Sequence, residues 1–450
     1  MGALYVLPNH DSFKEKPGLS SFAANPKDAA TSMVKLVEFM KSKIPEFQWS
    51  HTPVWLKATA GMRMLSPDQQ VAIIQSVQQF LIDKSNSPFL FRAEWAAIIP
   101  GTNEGGFGWI AYNYLRKMIG PKRPLDDTEI TTYAVVEMGG ASAQVTAMAK
   151  PDEVKLIPDE NLFSFDIAGQ HYALYTHSYL GYGGEQAREK LSKNLEISGD
   201  IIKDPCLNVG YMRSRDVSRR DVFDGSSEVG VAVEGDSDEK SCLKAVKSSI
   251  IDSVNMESCV HMIGGQYTMD CQSQPKWVSS IENYLVFENF FWAASGAHVL
   301  NDGHKSSDID APPSFPLITT PKEYKDASAE VCSKKWTQVN EEYPKDGQEK
   351  SNNNKWCFIL SYATSFLIDG LKLPLTKEIT VQRNVDGSEI EWALGAVYKE
   401  LEDFLSTNRK IESISFAREF TAGSLNEDYS KNKFASFKRL RSETSGFEHH

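Results

Sequence analysis

The stretch Val135-Val136-Glu137-Met138-Gly139-Gly140-Ala141-Ser142-Ala143-Gln144 sets an apolar run, a carboxylate, two glycines, a hydroxyl and an amide in succession. Glycines have no Cβ, so backbone N–H groups can come close to an anion and point at it. A carboxylate at the tip of a strand can hold a divalent cation through water. Ser142 and Gln144 can orient a water molecule. These are the parts of a phosphate-handling loop, although a strand followed by Gly-Gly is more often a plain turn. Two further apolar runs end in the same manner. Residues 53–56 lead into Lys57-Ala58-Thr59-Ala60-Gly61-Met62-Arg63, and residues 95–99 lead into Gly101-Thr102-Asn103-Glu104-Gly105-Gly106-Phe107-Gly108-Trp109. Ligands bind at the carboxyl ends of strands in α/β proteins, so the three loops are expected to converge on one crevice.

The elements that must position these loops are legible from periodicity. Met33, Leu36, Val37, Phe39 and Met40 recur at helical spacing over residues 29–43, and residues 68–83 repeat the pattern. Strand, loop and helix alternate to residue 120, the mark of an α/β layer structure. Residues 121–127 form a polar, proline-bounded connection, and a second lobe is expected to start with the strand through Val136. Residues 164–175 predict a hairpin, residues 213–240 a charged surface loop, and residues 284–292 and 356–371 core segments. Residues 406–450 are polar and predict a mobile tail, with a docked helix as the alternative.

A chain of 450 residues is long enough for two cores. Its net charge of −12 argues against nonspecific nucleic-acid binding, which needs clustered Lys and Arg. An acidic protein still binds a polyanionic nucleotide when a divalent cation mediates. The six cysteines, Cys206, Cys242, Cys259, Cys271, Cys332 and Cys357, contain no Cys-x-x-Cys pair. That disfavours zinc and thioredoxin-like chemistry and favours disulfides in an oxidising compartment. Residues 1–7 do not read as a secretory signal, no apolar run reaches the length of a membrane span, and no Asn-x-Ser/Thr acceptor occurs.

Residues 58–63, 104–115 (EGGFGWIAYNYL), 137–144 and 174–186 (LYTHSYLGYGGEQ) resemble, in order, the signatures of the apyrase family. These are the nucleoside triphosphate diphosphohydrolases, including CD39-like ecto-enzymes and Golgi nucleoside diphosphatases. Residues 17–23 (PGLSSFA) and 392–396 (WALGA) fit the same pattern, and the resemblance runs from about Lys16 to about Tyr398. It implies an α/β fold of two actin-like (RNase H-like) lobes around a nucleotide-binding cleft. The first lobe would take residues 1–128, with 391–405 returning to it and its first strand missing, and the second residues 129–390. The implied activity is divalent-cation-dependent hydrolysis of nucleoside tri- or diphosphates to inorganic phosphate, with Ca²⁺ or Mg²⁺ held by Glu137 through water. Glu104 would be the general base, where a bare reading makes it a solvated helix cap. Ser142 and Gln144 would hold the attacking water, although Ser142 also suits a helix cap. Thr59, Ala60, Gly139, Gly140 and Ala141 would contact phosphate. Phe291 lies where the family stacks a nucleobase, and Trp392 would floor the site; core packing is the plain reading of both. His177 is expected to be a structural hydrogen-bonder.

The resemblance also implies the pairings Cys206–Cys259, Cys242–Cys271 and Cys332–Cys357, and a secreted, cell-surface or Golgi/ER-lumenal location. Three departures are visible: Glu137 where the family carries Asp, Ala143 where Thr is common, and Gly181 where Cys is common. The family begins with a strand and an Asp-Ala-Gly-Ser-type phosphate loop, whereas this chain starts Met1-Gly2-Ala3-Leu4-Tyr5-Val6-Leu7. A lost leading segment, carrying both a signal or anchor and that loop, is the expectation, together with weak activity. The alternatives are a catalytically dead nucleotide-binding or interaction protein, and an actin-like kinase that moves phosphate to a hydroxyl.

Overall fold

The computed structural model describes residues 12–120, 131–195, 197–198, 201–216, 230–252, 265–267, 269–296, 316–342 and 352–422. The chain divides into two compact units between Ala396 and Val397. The expected connection at 121–127 lies outside the described residues.

In the first unit, strand β1 (Leu56–Ala58) pairs in parallel with β2 (Ala96–Ile98). Helices α1 (Ala29–Lys43) and α2 (Pro67–Ile82) bury the apolar positions that their period predicts, among them Met33, Val37, Ile73 and Val77. A capping box starts α2: Ser66 Oγ accepts from the Gln69 amide, and the Gln69 side chain reaches back to the Ser66 amide. Helix α3 (Gly101–Leu115) follows β2 directly.

The larger sheet has seven strands. β3 (Ala134–Met138), β4 (Ser142–Met148), β5 (Leu162–Ile167) and β6 (Gln170–Leu180) are followed along the chain by β7 (Tyr284–Glu288), β8 (Leu317–Thr319) and β9 (Ile379–Val381). Their spatial order is β8-β9-β7-β3-β4-β6-β5. β7 runs parallel to β3 and β9, and the remaining pairs are antiparallel. The predicted hairpin is β5–β6, turned through Ala168 and Gly169, both at positive φ.

Alternation sorts the two faces of this sheet. Val136, Met138, Ala143, Val145, Ala147, Tyr175 and Tyr179 join the main core. Helices α4 (Gly184–Lys193), α5 (Asn289–Gly296), α6 (Pro321–Ser333) and α7 (Trp356–Ser365) add buried residues to that same core. The opposite face of β4 carries Ser142, Gln144 and Thr146, all buried. Burying a polar row is tolerated only when its groups find partners, so this face is where chemistry is expected. Helix α8 (Trp392–Ala422) begins at the end of the first unit.

Two expectations are corrected. The charged segment 213–240 is not simply a loop: Met212–Asp216 and Gly230–Gly235 pair antiparallel in a four-stranded sheet. Its alternating charges hid the period of two that ends in buried Val233. Of the segment from residue 406, the part through Ala422 is helical, the alternative left open for it, and residues 423–450 lie outside the described residues. Cys206 pairs with Cys242, not with Cys259, and so Cys242 does not pair with Cys271. The backbone explains this exchange. The Asp236 amide donates to the Asp204 carbonyl at 2.9 Å and the Ser237 amide to the Leu207 carbonyl at 3.1 Å, which carries the start of the Ser241–Val246 helix to Cys206.

Cys332–Cys357 forms as expected, and Cys271 is also disulfide-bonded. Cys259 lies outside the described residues. Cys332–Cys357 ties α6 to α7 across 25 residues of sequence. Replacing both cysteines with alanine is expected to cost about 3 kcal/mol, by freeing that loop in the unfolded chain. Urea denaturation of the oxidised proteins checks it.

Candidate active site

Sheet register builds the site. Phe287, Glu137, Gln144 and Ser178 lie side by side across β7, β3, β4 and β6, so their side chains share one face. Gln144 Nε2 donates to Ser178 Oγ at 3.0 Å and to Ser142 Oγ at 2.5 Å. With its amino group committed to both hydroxyls, Gln144 Oε1 is left buried and without a partner. Glu137 Oε2 is likewise buried and unpartnered.

Helix α3 lies on this face and delivers Glu104. The approach depends on Gly105, where a Cβ would fall 2.5 Å from Thr176 Oγ1 and 2.6 Å from Thr146 Oγ1. Those two hydroxyls bond each other at 2.8 Å beneath the helix. Glu104 sits in the first turn of α3, where the helix dipole favours a carboxylate.

Arg63 closes the geometry. It ends the single helical turn Ala60–Arg63 after β1, and its Nη1 donates to the Ile99 carbonyl at 3.0 Å, just beyond β2. Its Nη2 donates to Glu104 Oε2 at 2.9 Å and reaches Ser178 Oγ at 3.4 Å and Ser142 Oγ at 3.5 Å. One guanidinium therefore braces β1 against β2 and links Glu104 to the Ser142 hydroxyl. Burial pushes the Glu104 carboxyl above its ordinary range, while the Arg63 charge, the Arg63 hydrogen bond and one from the Thr59 side chain pull it down. Glu137 is held well above that range by burial, with Glu104, Glu288 and Glu391 adding repulsion.

The glycine turn is fixed from behind. Gly184 donates its amide to the Gly139 carbonyl at 2.9 Å, and Glu185 and Gln186 donate to the Gly140 carbonyl at 3.0 and 3.2 Å. These are amides from the start of α4. With both carbonyls turned to α4, neither the Gly140 nor the Ala141 amide donates to a backbone carbonyl among the described residues. Both residues line a cleft of about 370 Å³ with Thr59, Ala60, Glu104, Glu137, Ser142 and Trp392. That volume suits a small-molecule ligand.

Ten of the eleven site residues expected from the sequence thus surround or back one cleft: the eight just named, Gly139 in its wall and Gln144 beneath Ser142. The exception is Phe291. It is 3% exposed and packed in the core, its ring 5.4 Å from that of Trp292. Trp292 in turn is covered by Arg383, 4.6 Å from its ring centre. His177 bonds Asn161 at 2.9 Å, and burial lowers its pKa to about 4, in keeping with a structural role. Sequence reasoning missed Arg63, Ser178, Glu288 and Glu391. The first two lie within quoted motifs, but only the fold brings them to Glu104 and Gln144.

Against known proteins, the model of the GDA1/CD39 (nucleoside phosphatase) family matches residues 5–414. The chain is 30% identical to probable apyrase 3 of Arabidopsis thaliana, over 86% of this chain and 74% of that protein. It is 27% identical to a guanosine-diphosphatase of Schizosaccharomyces pombe, over 85% of this chain and 66% of that one. Among solved structures, nucleoside triphosphate hydrolases from Neospora caninum superpose with a TM-score of 0.52 at 14% identity, covering 84% of this chain and 78% of theirs. This last likeness bears on the fold alone.

Proposed function

The chain belongs to the GDA1/CD39 (nucleoside phosphatase) family, and from that premise we propose that it hydrolyses nucleoside tri- or diphosphates with Glu104 as general base. It is an enzyme of the nucleoside phosphatase class with the actin-like (RNase H-like) α/β fold. One observation carries the assignment of the base: Glu104 is the cleft carboxylate that an arginine links to Ser142, facing the Gly139–Ala141 turn.

The terminal phosphate would lie against the Gly140 and Ala141 amides and the Thr59 hydroxyl. Gln144 Oε1, lacking a donor, would accept one hydrogen of the attacking water. Glu104 would take the proton as the water oxygen bonds phosphorus, and the bond to the leaving phosphate oxygen breaks in line. No covalent intermediate on the protein is required, because catalysis is positioning plus charge stabilisation. The residues fit a divalent cation: Glu137 Oε2 is a buried acceptor with nothing to accept. A bound Ca²⁺ or Mg²⁺ would neutralise phosphate charge, with Glu137 holding it through water. The disulfides Cys206–Cys242 and Cys332–Cys357 support a secretory-pathway or cell-surface location, and no described helix is long and apolar enough to cross a membrane.

The test is phosphate release from ATP, ADP, GDP and UDP with Ca²⁺, Mg²⁺ or chelator. Release only with a cation is the expected result; release unaffected by chelator refutes the cation dependence. The pH profile follows from the raised carboxyls. Both Glu104 and Glu137 must be ionised, and both hold protons above the ordinary carboxylate range. Activity at limiting cation should therefore rise with pH on an acid limb lying above the usual carboxylate pKa. A limb at or below that pKa would contradict the assignment.

A further inference from the structure

Four carboxylates face the cleft: Glu104, Glu137, Glu288 and Glu391. Two of them are already compensated. Arg63 lies 2.9 Å from Glu104, and Lys14 lies 2.8 Å from Glu391. Glu137 and Glu288 make no ion pair among the described residues, although the Lys14 and Arg383 charges act on Glu288 from farther away. A carboxylate taken out of water without a partner is unfavourable, and two facing one cavity are more so.

The backbone brings this pair together deliberately. β7 lies beside β3 with Phe287 opposite Glu137 and Glu288 opposite Met138. Neighbouring strands are about 4.8 Å apart, so the two glutamates belong to adjacent strand ends, one residue out of step. Strict alternation would send Glu288 to the face opposite Glu137. Instead Glu288 leaves the strand in the left-handed region, at φ 58°, and both residues line the same cleft. That conformation costs a non-glycine residue about 1 kcal/mol. The independent sign of a ligand is Glu137 itself, 5% exposed and lining the cleft, whose Oε2 has no hydrogen-bond partner. A hard divalent cation, which takes oxygen ligands from carboxylates and water, satisfies both groups.

We propose that Glu288 is a second carboxylate for the divalent cation, acting with Glu137 from the neighbouring strand. The inference rests on the reading of this cleft as a cation-dependent phosphatase site, but its test needs neither nucleotide nor turnover. Mn²⁺ alone is titrated into the full chain and the free ion is followed by electron paramagnetic resonance. The informative variant is Glu288→Asn, since asparagine tolerates the left-handed backbone and removes the charge. Its metal-free melting temperature should equal or exceed the parent's, which shows that it folds. Its Mn²⁺ affinity should fall by about tenfold or more, as should that of Glu137→Gln. Glu391→Gln, which removes a cleft carboxylate already paired with Lys14, should weaken binding less than Glu288→Asn does.

The proposal is overturned if Glu288→Asn binds Mn²⁺ like the parent while Glu137→Gln does not. It is overturned equally if Glu391→Gln weakens binding as much as Glu288→Asn, or if the parent binds no Mn²⁺ at millimolar concentration. Intact Mn²⁺ binding without phosphate release from any nucleotide would instead sink the proposed hydrolysis and leave the cation site standing.

Discussion

Glu104→Gln is expected to lower kcat for phosphate release by about 10²- to 10⁴-fold, the range contributed by a positioned general base. KM should change little, since an uncharged isostere keeps the shape of the cleft. Glutamine is the right substitution because its Oε1 still accepts from Arg63. Alanine would leave a half-buried guanidinium without its anion and mix a stability loss into the result. Steady-state kinetics with saturating cation reads both parameters, and a kcat within about threefold of the parent would remove Glu104 from the role of base. Arg63→Ala supplies the companion pH test. Arg63 pulls the Glu104 pKa down against burial. Without it the carboxyl holds its proton to still higher pH, so the acid limb of kcat/KM moves up. An unmoved limb would mean that some other group sets it.

Most of the cleft was legible because its residues are contiguous in short motifs. Glu137, Gly139, Gly140, Ala141 and Ser142 are one strand tip and one turn, and a strand tip in an α/β fold points where ligands bind. Glu104 was legible only through the family resemblance, since a bare reading makes it a solvated helix cap. What stayed hidden depends on pairing across the sheet. The row from Glu137 through Gln144 to Ser178 exists only once β3, β4 and β6 are in register, and a slip of one residue would send Gln144 into the core. Arg63 closed a quoted motif, yet nothing local says that its side chain bridges 41 residues to Glu104. Glu288 looked like the end of an apolar run. Its reach into the cleft comes from a backbone conformation that no propensity assigns to glutamate.

The departures follow the same logic. Phe291 carried the right chemistry for stacking on a base, but β7 runs straight into α5, and α5 leaves that ring 3% exposed, lining a separate small cavity with Glu288 and Trp292 and not the main cleft. An aromatic run does not reveal which of its members reach the main cleft. The Cys206–Cys242 bridge was set by the turn around Asp204 and Asp236 rather than by cysteine spacing. Both cases are decided by tertiary placement over residue type.

Gly183→Ala should reduce kcat/KM by about a hundredfold although Gly183 itself does not line the cleft. Gly183 has φ −69°, so its backbone does not require glycine; the requirement is space. A Cβ there would fall 2.5 Å from the Ala141 amide nitrogen and closer still to the Gly140 carbonyl. Ordinary contact begins near 3.4 Å, so α4 or the turn must retreat by roughly 1 Å, a misplacement that can cost about 10²-fold in rate. The retreat cannot be absorbed behind the turn, because the amides of Gly184, Glu185 and Gln186 hold the carbonyls of Gly139 and Gly140 from that side. The displacement therefore falls on the Gly140 and Ala141 amides, where the phosphate is proposed to lie. Stability should drop by about 1–3 kcal/mol, as for other forced overpacking, which leaves a folded protein to assay. Gly18→Ala is the matched control: a Cβ there meets nothing within 4 Å, and both activity and melting temperature should stay at the parent's values. If Gly183→Ala melts lower yet turns over nucleotide at the parent's rate, the turn tolerates displacement and its amides do not set the phosphate position.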